Sequence, residues 1–300
     1  MKIRFIYNFI FITILTVVKT NAQQNLLIFE NDSIAIYDTF LSLNSKENIS
    51  PTFYNNGLIY ASADKNDFYK LYFSDLKNKP QKIKINNYFH SGGPVATYNN
   101  EIYFVKSPKL MKGNNNGNLT IFKGKIENLK VSKVKPLSIC KADFTYGQPT
   151  ISKDGNKMVI VTNERGIFHL LELQRNNNNE WEKSDVVFIS QSSFTIINPT
   201  IYDENTIYFS SNISEAKIDR VEYTLENGNP VVDNVYYATG DFNIYKTIKV
   251  DGKWSLPQKV SVLNSEFDDL SVVFITEKTG YINSFRYDDT DNIYYFELKQ

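Results

Sequence analysis

Cysteine and histidine are scarce in this sequence of 300 residues, which contains one Cys and two His. A lone thiol, Cys140, cannot form an intrachain disulfide, which excludes the small disulfide-stapled folds. Structural zinc sites take three or four thiolate or imidazole ligands, whereas Cys140, His90 and His169 are few and widely separated. We therefore expect no metal, no cofactor and no catalytic thiol, and a fold that is held together by its apolar core.

An excess of charge of either sign is also lacking, because 33 Lys and Arg balance 33 Asp and Glu. Proteins that bind nucleic acid or anionic membranes usually display a basic surplus. The sequence therefore predicts no nucleic-acid partner. Beyond the N-terminal region it has no second long apolar run, so we expect no stable membrane insertion of the mature protein.

The N-terminal region has the composition of an export signal. Basic residues precede the mostly apolar stretch Phe5–Val18, and small residues lead up to Ala22. We predict a signal peptide over residues 1–22, cleaved after Ala22, and a single mature domain over residues 23–300. A membrane anchor is the alternative. The expected location is the periplasm, the cell exterior or the outer-membrane surface of a Gram-negative bacterium.

Aromatic and branched side chains are abundant, with 14% Phe, Trp and Tyr. These residue types suit pleated strands that are at least half buried. The stretch FTYGQPTISKDGNKMVIVTN, Phe144–Asn163, combines an aromatic residue, a Pro, a short strand, an Asp-Gly turn and a second strand. Similar stretches begin at Phe89, Phe194 and Phe267, and at Lys46 with Lys in place of Phe. The chain therefore contains five copies of one unit.

The spacing of the copies is that of propeller blades. Their Pro residues, about 40 to 55 residues apart, are Pro51, Pro94, Pro149 and Pro199, with Val272 in the last copy. Each copy continues into a third strand, and all but the last into a fourth. We predict that Ser33–Phe40 supplies that missing strand and closes the ring, while Asn25–Asn31 has no assigned place. The sequence thus predicts an all-β, five-bladed β-propeller, with six blades as the alternative.

Two stretches resemble known repeats. GQPTISKDGNKMVIVTNERGIFHLLEL resembles the WD-like repeat of the TolB propeller, in which a Pro, a strand, Ser-x-Asp-Gly and two further strands follow one another. DFNIYKTIKVDGKWSLPQKV is similar to the corresponding region of repeats in envelope proteins that often carry an OmpA-like peptidoglycan-binding domain. The likeness covers residues 33–300, although only Ser152–Gly155 keeps the central motif. It implies protein–protein interaction in the cell envelope rather than catalysis.

These observations predict an exported, non-catalytic binding or scaffold module that is monomeric and has envelope proteins as partners. Recognition residues commonly lie on loops of a rigid scaffold, and linkers that enter the innermost strands gather at one mouth of the channel. The candidate partner contacts in these linkers are Asp143, Tyr146, Asp268 and Asp269. The insertion Ile213–Gly240 is a further candidate, although it could instead form a plain hairpin around Asn227-Gly228 without a partner.

The alternative function is a carbohydrate-active enzyme, which needs two carboxylates on opposite sides of a sugar. The candidate carboxylates, all in linkers to innermost strands, are Glu47, Asp143, Asp268 and Asp269. The same oxygens could bind a calcium ion. The sequence has no nucleophile elbow, phosphate loop or metalloprotease helix. We interpret the repeated linker Phe residues as apolar plugs between neighbouring blades.

Overall fold

The computed structural model describes residues 26–39, 41, 47–63, 69–86, 93–106, 117–191, 194–287 and 290–299, and only the backbone of 214–219 and 236–239. The predicted signal peptide, Lys46, Phe89 and His90 lie outside the described residues. Within them, no helix has the length and apolar character needed to span a membrane.

Five antiparallel sheets contain the strands, and in four of them the strands are neighbours in chain order. The first blade contains β3 (Asn48–Tyr54), β4 (Gly57–Ala63), β5 (Tyr69–Ser74) and β6 (Gln81–Lys82). The second contains β7 (Ala96–Tyr98), β8 (Glu101–Val105), β9 (Ile121–Glu127) and β10 (Lys130–Pro136). The third contains β11 (Tyr146–Ile151), β12 (Lys157–Thr162), β13 (His169–Arg175) and β14 (Trp181–Ile189). The fourth contains β15 (Ile196–Ile201), β16 (Thr206–Glu226), β17 (Asn229–Val250), β18 (Lys253–Trp254) and β19 (Gln258–Lys259).

The fifth blade combines strands from the two ends of the described chain. It contains β1 (Leu27–Glu30), β2 (Ile34–Tyr37), β20 (Asp269–Phe274), β21 (Thr279–Ser284) and β22 (Asn292–Leu298). In the antiparallel register between β2 and β22, Ile34 lies opposite Leu298 and Tyr37 opposite Tyr295. The predicted closure of the ring is therefore confirmed. The stretch that had no assigned place provides β1, an additional outer strand that pairs with β2.

The innermost strands β3, β7, β11, β15 and β20 line one central cavity, which confirms the five-bladed β-propeller and removes the six-bladed alternative. Each blade is apolar on both faces because it packs between two others. In β12, Met158 and Ile160 pack into the cluster shared with the second blade, whereas Val159 and Val161 pack against the fourth. The run of apolar residues without polar alternation, typical of strands covered on both sides, follows from this position.

At Pro51, Pro149 and Pro199 the repeated Pro lies at a bulge in the innermost strand, whereas Pro94 precedes β7. The residue before each Pro has a positive φ, uncommon for residues other than Gly; these residues are Ser50, Gly93, Gln148 and Asn198. The bulge connects neighbouring blades: the Asn198 backbone N–H donates to Gln148 Oε1 at 2.8 Å, and Asn198 Nδ2 donates to the Leu270 carbonyl at 2.7 Å. Pro has no backbone N–H. Where the bulge interrupts the hydrogen bonds between strands, a Pro therefore leaves no N–H group without an acceptor.

The linker Phe residues do not share one environment. Phe194 is buried and stacks on Phe188 with ring centroids 6.3 Å apart, and Phe144 packs against the core between the second and third blades. Phe267 instead is 52% exposed. The interpretation as plugs between blades therefore holds for Phe144 and Phe194 and is wrong for Phe267.

A partly buried ion-pair network joins the second and third blades. Glu101 accepts hydrogen bonds from Tyr103 Oη at 2.6 Å and from Arg175 of the third blade at 3.0 Å, and it also pairs with Lys123. Burial alone would raise the pKa of the Glu101 carboxyl, but the bonds from Lys123, Tyr103 and Arg175 together hold this pKa below its ordinary value. The charged form of Glu101 is thus stabilised in the folded protein.

This depressed pKa predicts an acid-sensitive contribution to stability. It should be fully present above the ordinary carboxyl pKa and disappear as the pH falls through the lower folded value. We expect Glu101→Gln to lower the melting temperature at neutral pH. The melting temperatures of the variant and the parent protein should differ less near pH 3, roughly one unit below the ordinary Glu pKa. Glu127→Gln, which removes an exposed pair with Lys125, is the control. A temperature difference that is independent of pH would contradict the prediction.

Candidate functional site

The propeller has two dissimilar faces. We call the face at which linkers enter the innermost strands the linker face, and the opposite face, where each innermost strand turns into the second strand, the turn face. The four predicted contact residues lie at the linker face, where β11 and β20 begin. The structure therefore brings Asp143 and Tyr146 to one side of this face and Asp268 and Asp269 to another.

Tyr146 is fully buried in the core between the second and third blades. Its hydroxyl donates to Glu164 Oε2 at 2.9 Å, and Lys183 also donates to that oxygen. Burial, together with the neighbouring carboxylate, raises the pKa of Tyr146. Burial alone would raise the pKa of Glu164 as well, but the bonds from Lys183 and Tyr146 bring it below its usual range. Tyr146 thus supports the structure and has no side-chain surface for a partner.

Asp269 is also fully buried. Its carboxylate accepts a hydrogen bond from the Arg286 guanidinium, and its Oδ2 accepts bonds from the Ser265 N–H at 2.6 Å and Oγ at 3.0 Å. Arg286 donates in addition to the Leu263 carbonyl at 2.7 Å. This ion pair joins the first residue of β20 to the loop after β21. The expectation that all the predicted contacts face an open mouth is therefore corrected for Tyr146 and Asp269.

Asp143 and Asp268 remain accessible. Asp143 is exposed, whereas Asp268 is half buried and its Oδ1 accepts a hydrogen bond from the Phe242 N–H at 2.7 Å. The remaining carboxylate of the predicted enzymatic set, Glu47, is half buried and accepts a hydrogen bond from Tyr69 Oη. Among the described residues, no group of three or more His, Cys, Asp or Glu is arranged to hold a metal ion.

The central cavity opens at the turn face, not at the linker face. Its volume is about 750 Å³, and residues from all five innermost strands line it. Two threonines of its wall link the first and second blades by hydrogen bonds. Thr52 Oγ1 donates to the Val95 carbonyl at 2.7 Å, and Thr97 Oγ1 donates to the Phe53 carbonyl at 2.8 Å. Sequence reasoning missed this cavity, because its wall combines residues from five separate blades.

The cavity wall is largely apolar and aromatic near the fourth and fifth blades. Tyr202 and Phe274 line the cavity, with ring centroids 4.9 Å apart. Tyr208, which is not part of the lining, contacts both rings, at 5.7 Å from Tyr202 and 4.8 Å from Phe274. Among the described lining residues, the carboxylates are Asp203 and Glu277, both in exposed turns at the rim. Asp203 Oδ1 accepts a hydrogen bond from the Asn205 N–H of its own turn at 2.8 Å.

The insertion of the fourth blade is a hairpin that projects from the linker face. β15 pairs with β16 only as far as Ser211, but β16 and β17 continue as a two-stranded ribbon to Glu226 and Asn229. Its turn is Asn227-Gly228, with φ of 52° and 81°. Positive φ at both central residues is the requirement of a tight type I′ turn. The interpretation as a hairpin around Asn227-Gly228 is confirmed.

One face of this hairpin is apolar. Directly opposed residues of an antiparallel pair lie on the same face, and in the outer hairpin the opposed apolar pairs are Val221 with Val235, Tyr223 with Val232, and Leu225 with Pro230. We call these six residues the apolar face. Leu225 is 66%, Tyr223 60% and Val232 59% exposed. Side chains of this kind exposed together on a projecting element are a mark of an interaction site.

The opposite face, which we call the polar face, combines charged and neutral residues, and Val231 lies on it opposite Thr224. Arg220 and Glu222 form an ion pair of 3.2 Å, and Thr224 Oγ1 donates to Asp233 Oδ1 at 3.2 Å. With Glu226, the polar face has more carboxylates than basic groups. The register shift between Glu222 and Tyr223 places Asp233 as the extra residue of a bulge in β17.

A small apolar pocket lies at the root of the hairpin. It has a volume of about 280 Å³, and Ile213 of β16 lines it together with Phe188, Phe194 and Phe209. Leu256, at its edge, is 84% exposed. Apolar surface is therefore present both along the hairpin and at its base.

Comparison with known proteins identifies the fold and nothing finer. No family model and no curated protein matches the sequence. A mutant of the Bombyx mori GH32 β-fructofuranosidase, in complex with sucrose, is 10% identical with a TM-score of 0.50 over 82% of this chain and 59% of that one. The putative TolB of Agrobacterium tumefaciens is 12% identical with a TM-score of 0.43, over 90% and 84% of the two chains. The GH43 endo-arabinanase of Bacillus licheniformis is 10% identical with a TM-score of 0.46, over 83% and 92%.

Proposed function

We propose that this protein is an exported, non-catalytic binding module of the bacterial cell envelope that recognises a protein partner at its linker face. The observation that carries the proposal is the hairpin of β16 and β17, which projects from this face with an exposed apolar face. When a partner covers exposed apolar side chains, the free energy gained is about 25 cal/mol per Å² of apolar surface buried. Asp143 and Asp268 lie on the same face and are further contacts in this proposal.

The alternative of a carbohydrate-active enzyme has less support. Paired carboxylates would have to face each other across a substrate, but Asp269 is engaged with Arg286 and Glu47 with Tyr69. The central cavity lies away from them, at the turn face. A nucleophilic thiol is not favoured either, because burial raises the pKa of Cys140 to about 11. The geometry thus supports binding better than turnover.

The envelope location, the monomeric state and the class of partner belong to the same proposal. The location rests on the predicted signal peptide over residues 1–22, and the partner class on the resemblance to TolB-type repeats. A projecting hairpin on a rigid ring of blades also fits a scaffold, because the ring fixes the direction in which the hairpin points.

Shortening the hairpin tests the proposal. Replacing Arg220–Val235 with an Asn-Gly turn keeps Ile213 and the pocket at the root, and we expect the melting temperature to change by less than about 3 °C. The same variant should lose the envelope protein that co-purifies with the parent chain. Asp203→Asn, on the turn face, is the control and should keep it. If the shortened protein retains its partners, the hairpin is not the recognition element and the proposal fails.

A further inference from the structure

We propose that the hairpin binds its partner as an extended segment that adds a strand to the outer edge of β16, with apolar residues alternating with Lys or Arg. This inference rests on the proposed function and specifies the binding mode and the chemistry of the partner. The outer edge of β16 is its free side, opposite the side that pairs with β17, in the segment beyond Ser211. Ser211 is the last residue of β16 that pairs with β15.

The two edges of the hairpin are not equivalent. β17 contains Pro230 and the bulged residue Asp233, features that interrupt a ladder and discourage strand addition. The outer part of β16, from Val221 to Glu226, has neither Pro nor Gly and alternates apolar and polar residues without interruption. Nearer the blade, between Ser211 and Arg220, the pairing of β16 with β17 has register shifts, so the regular part of this edge is the outer one. A regular exposed edge is the template on which extended peptides add. The geometry therefore favours β16.

The position of this edge places the partner over the linker face. β15 occupies the same side of β16 nearer the centre of the molecule and begins with Ile196, opposite Ser211. An added strand would continue the line of β15 outwards, above the linkers.

Side-chain alternation defines the chemistry of the segment. Neighbouring strands place directly opposed side chains on the same face, so every second residue of the partner would pack beside Tyr223 and Leu225 on the apolar face. The residues between them would lie beside Glu222 and Glu226, with Asp233 nearby on the polar face. Arg220 is the one basic residue of the described polar face and is already paired with Glu222. Basic residues in the partner complement this surface.

Charge also favours a basic protein segment over two other occupants of this edge, a second copy of this chain and a membrane surface. A second copy that paired its own β16 edge with this one would oppose acidic residues with acidic residues, which is unfavourable. A bacterial membrane surface with anionic lipids attracts basic segments, whereas the polar face of the hairpin has an acidic excess. A basic, extended protein segment satisfies both the apolar and the polar face.

Designed peptides provide the test. Three fluorescent peptides of about seven residues, a typical strand length, are compared by anisotropy: one alternates Val and Lys, one alternates Val and Glu, and one has the Val and Lys residues in two separate blocks. We expect the first to bind roughly tenfold tighter than either other peptide. Amide hydrogen exchange should slow at Tyr223–Leu225 when it binds. The double variant Glu222→Lys/Glu226→Lys should reverse the preference between the Lys and Glu peptides.

Several outcomes overturn the inference. These are equal binding of the alternating and block peptides, no binding of any peptide, protection away from β16, or unchanged preference in the charge-reversed variant. Binding to vesicles of phosphatidylcholine and phosphatidylglycerol, or self-association that is lost when the hairpin is shortened, would favour the other occupants instead. If the shortened protein loses a native partner but no alternating peptide binds, the proposed function stands and strand addition fails. If neither effect occurs, both fail.

Discussion

Replacing Arg286 with Met is expected to lower the free energy of unfolding by about 3 to 5 kcal/mol, because it leaves the Asp269 carboxylate buried without its cation. Both side chains are almost inaccessible, with 5% exposure for Arg286 and none for Asp269. Met preserves much of the volume of the Arg side chain, so the loss reports on charge and hydrogen bonding rather than on a cavity. Urea denaturation followed by Trp fluorescence measures it.

An exposed ion pair gives the matched control for Arg286→Met. Lys299 pairs with Glu30 at 2.7 Å, with side chains 34% and 51% exposed, and Lys299→Met should cost less than about 1 kcal/mol. Adding Asp269→Asn to Arg286→Met should recover roughly 1 to 3 kcal/mol, since the double variant has no unpaired buried charge. Equal losses of unfolding free energy for Arg286→Met and Lys299→Met would show that the buried ion pair stabilises the fold no more than the exposed one.

Replacing Asn283 with Ala is expected to destabilise the closure of the ring by a similar amount. Asn283 Oδ1 accepts the Ser50 N–H of the first blade at 3.1 Å, while its Nδ2 donates to Asp291 and to the carbonyls of Asn292 at 3.1 Å and Asn48 at 3.3 Å. One side chain thus serves several buried groups at the junction of the first and fifth blades. Removing a buried partner costs about 1 to 3 kcal/mol for each group, so we expect about 4 kcal/mol in total.

The control for Asn283→Ala is Asn205→Ala, in an exposed turn of the fourth blade. Its backbone carbonyl, which accepts the Lys249 N–H at 2.7 Å, is unaffected by the substitution, so the change should be within about 0.5 kcal/mol. The two variants are compared by urea denaturation with full curves. A loss in Asn283→Ala no greater than that of the control would mean that apolar contacts alone hold the first and last blades together.

The ring and its closure could be predicted from the sequence because both depend on repetition. Each blade meets the same two neighbours, so the same Pro recurs at Pro51, Pro94, Pro149 and Pro199, and the missing strand of the last copy is found at Ile34–Tyr37. The hairpin turn at Asn227-Gly228 could likewise be predicted, since its conformation is encoded locally. Repeated and local features leave a signal in a single sequence.

The environment of individual side chains could not be predicted in the same way. Asp269 has an acidic neighbour, Asp268, and only the fold shows that Arg286 reaches one of them and the Phe242 N–H the other. Tyr146 looks like an exposed residue before a strand, but the packing of the third blade against the second buries it. These contacts depend on chain segments that are distant in sequence, and each occurs in only one blade.

The pairing of β2 with β22 also determines the order in which this protein can fold. β2 is synthesised early, yet its partner strand is the last one in the described chain, with Ile34 opposite Leu298. Contacts between residues so far apart form slowly, because most of the chain must be ordered before its ends meet. During synthesis, β2 has to remain available and must not pair with the edge of another blade or another chain. The step most exposed to misassembly is therefore the final one, when the fifth blade takes up its outer strand.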